Sequence, residues 1–106
     1  MGIAADIAII LVAGLLGGLA ASWAIAARAR AAGVDVVVGT ALDAAVGRMG
    51  ALHLAAALPG LTRACGLATS EMLAEDVGVA PRPEHGLLAV PDTPGLGIAV
   101  DVPHAP

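Results

Sequence analysis

The stretch Ile7–Ala27, IAIILVAGLLGGLAASWAIAA, contains no charged side chain, and how it is read decides the fold. Its 21 residues are long enough to cross a hydrocarbon core as one helix, and Arg28 and Arg30 follow it as interfacial anchors would. The run nevertheless changes character along its length. Ile7–Val12 is dense in β-branched residues, whereas Leu19–Ala32 is rich in alanine, with Leu19, Trp23 and Ala26 or Ala27 at helical spacing. Gly14, Gly17 and Gly18 stand between the two halves, where a buried strand would end, turn and feed a helix. Gly33 then closes that helix, with Arg28 and Arg30 in its last turn, where cations meet the helix dipole favourably.

The pattern repeats. Val34–Leu42, VDVVVGTAL, is a second mostly apolar strand, and Asp43–Leu58 is a second alanine-rich helix stopped by Pro59 and Gly60. Alternating strand and helix is the mark of parallel α/β units. A weaker third cycle follows. Thr62–Ala68 is a strand or loop, and TSEMLAEDV opens a short helix at Thr69 or Ser70. From residue 81 the chain is rich in proline, with short extended pieces at Leu87–Val90 and Ile98–Val100. The expected organisation is a partial βα barrel segment over residues 1–80 and a proline-rich C-terminal tail over 81–106. The repetition favours a soluble α/β fold, and a single membrane span over 7–27 is the alternative.

Composition excludes several functions. The chain has 106 residues, enough for one small domain. It is 58% hydrophobic but 1% aromatic, Trp23 being the one aromatic residue, so alanine and glycine inflate the apolar count beyond the area they can bury. A net charge of −4, no basic patch and no stacking aromatics argue against nucleic-acid binding. Asp6 is the only charge near the N-terminus, which lacks the basic start of a signal peptide. Cys65, the single cysteine, has no partner for an internal disulfide, and a cytoplasmic location is expected. All five basic residues are arginine; the chain holds no lysine.

Three segments carry a family resemblance: GVDVVVGTALDAAVGRMGALHLAAALPGL, ACGLATSEMLAEDV and the tail GLLAVPDTPGLGIAVD. Together they resemble the C-terminal part of the barrel domain of the enolase superfamily, in the muconate-lactonizing and o-succinylbenzoate synthase group. AADIAIILVAGLLGGL is similar to that family's preceding strand, turn and helix start. The resemblance implies an α/β fold, specifically a C-terminal fragment of a (β/α)7β TIM-like barrel with two to three βα units plus the tail. It also implies a parent chemistry in which lysines on two strands move a proton next to a carboxylate, while Mg²⁺ on three acidic strand ends stabilises the enediolate.

This chain departs from that pattern. The acidic ligands and the first lysines belong to strands upstream of the matching region. The second lysine is expected about five residues before Gly17, where Val12 stands with Leu11 beside it. Neither side chain titrates, and a general acid or base must. The chain therefore reads as a truncated or degenerate enzyme segment, inactive alone, with no cofactor of its own. Too few strands are present to close a barrel, which leaves open edges for self-association or for a complementary upstream barrel segment.

Thr40, Ala41 and Asp43 follow the second strand, at the end where such barrels bind substrate, and are the candidate substrate-binding residues. Asp43 equally suits a plain helix cap. His53 has no ligand partner at helical spacing and is expected to be a packed residue. Glu71, Glu75 and Asp76 read as a solvated face, and Cys65 as a small buried thiol. His85 and His104 lie among prolines without ligand spacing, and GLLGG (14–18) matches no phosphate-binding pattern.

Overall fold

The computed structural model describes residues 8–13 and 17–101. The uncharged run is split: a strand, β1 (Ala8–Val12), precedes a helix, α1 (Leu19–Ala31). Among the described residues no helix is long and apolar enough to cross a membrane, so the alternative of a span over 7–27 is not favoured. Gly14 and the rest of the GLLGG turn before Gly17 lie outside the described residues.

Helix α1 ends as its sequence implies. Gly33 takes the left-handed φ of 74°, and the Gly33 and Val34 N–H groups donate to the Arg30 and Ala29 carbonyls at 3.1 and 2.9 Å. The next residues form β2 (Asp35–Gly39), which pairs parallel with β1 in the register Ala8–Asp35 to Val12–Gly39. Helix α2 (Ala45–Ala57) follows. Each strand and helix lies within a few residues of its expected bounds.

One face of the sheet is covered by the helices, and the other is partly open, with Ile10 exposed and Val12 and Val37 half-buried. Leu11 and Val38, opposite one another, are fully buried with Ala26 of α1 and Ala51 and Leu54 of α2. Burying a Leu side chain contributes roughly 1.5–3 kcal/mol. Small residues bring α1 close to the strands: its buried positions are Ser22, Ala26 and Ala29. Ser22 keeps its hydroxyl satisfied by donating to the Gly18 carbonyl at 2.9 Å. Side chains alternate along a strand, so Ile10 and Val12 emerge on the opposite face. Ile10 is 67% exposed there.

The third cycle is present in reduced form. Gly66 makes one parallel bridge to Gly39, on the side of β2 away from β1, through Gly66 N–H to Val38 O at 3.0 Å and Thr40 N–H to Gly66 O at 2.9 Å. The expected helix after Thr69 shrinks to a single 3₁₀ turn, Ser70–Met72. The extended pieces of the tail are likewise single antiparallel bridges, Gly78 to Val100 and Glu84 to Leu87. His85 and Gly86, at φ of 51° and 75°, form the tight turn between the latter two. The tail returns to α2, where His53 Nε2 donates to the Leu96 carbonyl at 3.0 Å. That contact gives His53 the packed role expected of it. His104 lies outside the described residues.

Candidate functional site

The carboxyl ends of β1, β2 and the Gly66 bridge lie side by side, and the residues following β2 form a loop above them. Thr40 is the first. Its hydroxyl donates to the Gly66 carbonyl at 3.2 Å and lies 2.9 Å from the Thr69 hydroxyl. A hydroxyl has one proton, so with Thr40 donating to Gly66 the Thr69 O–H is the donor across the pair. Thr69 was not expected here from the sequence, being 29 residues away. Ala41 is exposed and Asp43 half-buried in the same loop, and among the described residues the Asp43 carboxylate accepts no hydrogen bond.

Asp43 does not cap α2. Ala44 is the capping residue and offers no side-chain acceptor. Asp76 replaces it from a distance: its Oδ1 accepts the Ala45 N–H at 2.7 Å, while its Oδ2 pairs with Arg48 Nη1 at 2.7 Å. Arg48, 6% exposed, also donates to the Asp43 carbonyl at 3.0 Å. The expectation of a solvated acidic face thus fails for Asp76, because an unsatisfied helix N-terminus and a buried guanidinium both attract its carboxylate. Glu75 is exposed, and the Glu71 side chain lies outside the described residues.

The Ala45 N–H first, and then the Arg48 guanidinium, hold the Asp76 carboxyl below its ordinary value of 3.8, against an opposing push from desolvation. A depressed folded pKa stabilises the fold above the unfolded value and loses that contribution as pH falls through the folded one. The unfolding midpoint should therefore begin to lose the Asp76 contribution only as pH drops below about 4. Acid titration of Asp76→Asn should lack that part of the decline. An Asn variant with the unchanged acid profile would contradict the assignment.

The structure also separates Val12 from Leu11. Leu11 is buried beneath the helices, whereas Val12 is half-buried and lies with the exposed Ile10 on the opposite face. A Cβ added to Gly39 would come 3.4 Å from Ile10 Cγ2 and 4.0 Å from Val12 Cγ2, which places all three on that side. In a closed barrel this face is the interior. Val12 stands at the last pair of the β1–β2 ladder, opposite Gly39.

No group of three or more His, Cys, Asp or Glu among the described residues is placed to hold a metal ion. Asp76 is engaged by Arg48, and Asp35 by Arg63 Nε at 2.9 Å. These donors do not fit a magnesium site, and no metal-dependent step is assigned to this chain. Cys65 is half-buried against the core, with Sγ 3.9 Å from the Arg63 carbonyl.

Comparison with known proteins agrees with this geometry. The family model described as enolase C-terminal domain-like matches residues 4–105. The chain belongs to that family. It is 51% identical over 90 residues to the o-succinylbenzoate synthase of Mycobacterium bovis (strain BCG / Pasteur 1173P2), covering 85% of this chain and 26% of that protein. With the o-succinylbenzoate synthase of Mycobacterium marinum it shares 44% identity over 105 residues, 92% of this chain and 31% of the relative. The crystal structure of the muconate lactonizing enzyme from Klebsiella pneumoniae superposes with a TM-score of 0.81 at 34% identity, over 89% of this chain and 27% of that one. The chain thus spans between a quarter and a third of the length of these relatives. It is a small α/β segment resembling the C-terminal part of an enolase-superfamily barrel.

Proposed function

We propose that this chain serves as the closing segment of an o-succinylbenzoate synthase-like or muconate cycloisomerase-like barrel, contributing a pocket wall and two outer helices but no proton-transfer group. One observation carries the reading. The interior-facing position at the end of β1 is Val12, in a chain without lysine. Parent chemistry removes a proton next to a carboxylate, which requires a titratable group within hydrogen-bond reach. Thr40, Ala41 and Asp43 would line the substrate pocket, where the Thr69–Thr40–Gly66 hydrogen-bond chain uses both hydroxyl protons and leaves acceptor lone pairs for a donor group. Mg²⁺ and the first basic groups would come from upstream strands. The assembly would reside in the cytoplasm.

The exposure of Ile10 on the uncovered side of the sheet supports a complementary upstream barrel segment as the partner, since parallel sheets are normally covered on both faces. Self-association is the outcome in its absence.

Two measurements test the proposal. The purified chain with Mg²⁺ and the synthase substrate in D₂O should give no exchange of the substrate α-proton above blank. Mixed with a mycobacterial o-succinylbenzoate synthase truncated before the matching region, it should gain thermal stability, by about 2.7 kcal/mol at a hundredfold excess over Kd. Exchange by the chain alone, or a compact monomer by light scattering that ignores the truncated synthase, would overturn the reading.

A further inference from the structure

A groove of about 560 Å³ lies between α1 and the turn that follows α2, beside the amino end of β2. It is on the helical side of the sheet and at the opposite end of β2 from Thr40, so it is separate from the site above and independent of the reading proposed for it. Trp23, Ala27, Val34, Pro59 and Leu61 give it mostly apolar walls. Its size is that of small-molecule sites, which combine such walls with a few orienting polar groups.

Two charged residues line it, Arg30 and Asp35, and they differ in state. The Asp35 carboxylate is already paired with Arg63. Arg30, among the described residues, has no ion pair and its side chain makes no hydrogen bond. The Arg30 guanidinium lies against Gly60, where an added Cβ would come 3.4 Å from Nε, and Gly60 holds a left-handed φ of 75°. Trp23 is 46% exposed, leaving part of its indole uncovered along the same groove.

We propose that this groove binds a small amphipathic monocarboxylate, its apolar body against Trp23 and its carboxylate on Arg30. A neutral apolar molecule would leave the guanidinium unmatched, and a cation would be repelled by it. One carboxylate matches Arg30, the cation of the lining and unpaired among the described residues; the other charged residue of the lining, Asp35, is an anion already paired with Arg63. Arg30 also presents its donors in the planar fork that matches one carboxylate.

Trp23 is the one aromatic residue in the chain, so intrinsic emission reports on this groove alone. The test titrates the full chain with octanoate, following Trp23 emission with equilibrium dialysis in parallel, and repeats it with octanol and octylammonium. Octanoate should bind saturably, and both analogues about tenfold or more weaker. Arg30→Gln should weaken octanoate binding by roughly tenfold, while Arg28→Gln, which removes the same charge from α1 outside the lining, should leave it unchanged. Equal affinity for octanol, an unaffected Arg30→Gln, or no bound octanoate by dialysis would overturn the proposal. So would a Trp23 emission change that follows protein concentration rather than octanoate, which would give the groove to a second copy of the chain.

Discussion

Assembled with an upstream barrel segment that carries the family's acidic strands, the chain bearing Val12→Lys is expected to turn substrate over roughly 10²–10⁴ times faster than the unsubstituted assembly. The magnitude is that of restoring one positioned general acid or base. Val12 lies on the sheet face that becomes the barrel interior, at the carboxyl end of β1. Leu11→Lys is the discriminating control. That side chain is 0% exposed beneath α1 and α2, so a lysine there buries an unpaired ammonium and weakens the fold without reaching substrate. Product formation measured for both variants, with Val12→Met as a size control, settles the matter. Equal rates for Val12→Lys and Val12→Met, or rescue by Leu11→Lys, would contradict the placement of β1.

The second large effect is on stability. Leu11→Ala should cost about 2–5 kcal/mol, the range for emptying a buried Leu site, against the roughly 5–15 kcal/mol that holds a typical domain folded. A shift of the urea midpoint at constant slope measures it. Ile10→Ala, one residue away on the same strand, should change the chain, at concentrations dilute enough to keep it monomeric, by no more than about 0.5 kcal/mol, because Ile10 is 67% exposed. On assembly with an upstream segment, Ile10→Ala should become costly as its face is covered. Equal costs for the two variants in the isolated chain would mean that both faces of the sheet are already packed.

Local chemistry by itself determined the order of elements. β-Branched density set β1 and β2, alanine-rich runs set α1 and α2, and Gly33 and Pro59 ended the two helices. These signals act within a few residues, and so a single sequence carries them. The same text distinguished a strand followed by a helix from a 21-residue span, through the change of period inside one apolar run. It also determined that none of these 106 residues is a lysine.

Tertiary structure alone decided what depends on partners far along the chain. Asp76 caps α2 and pairs with Arg48 across 28 residues, a role that local cap preference had offered to Asp43. Thr69 meets Thr40 only because the Gly66 bridge brings the third cycle beside β2. His53 finds its partner in the carbonyl of Leu96, which no side-chain pattern announces. Which of Leu11 and Val12 faces the barrel interior was equally open, because a strand of period two reverses every side chain when its phase shifts by one residue. Burial of Leu11 beneath two helices chose that phase, and the same choice turned Val12 to the opposite face with Ile10.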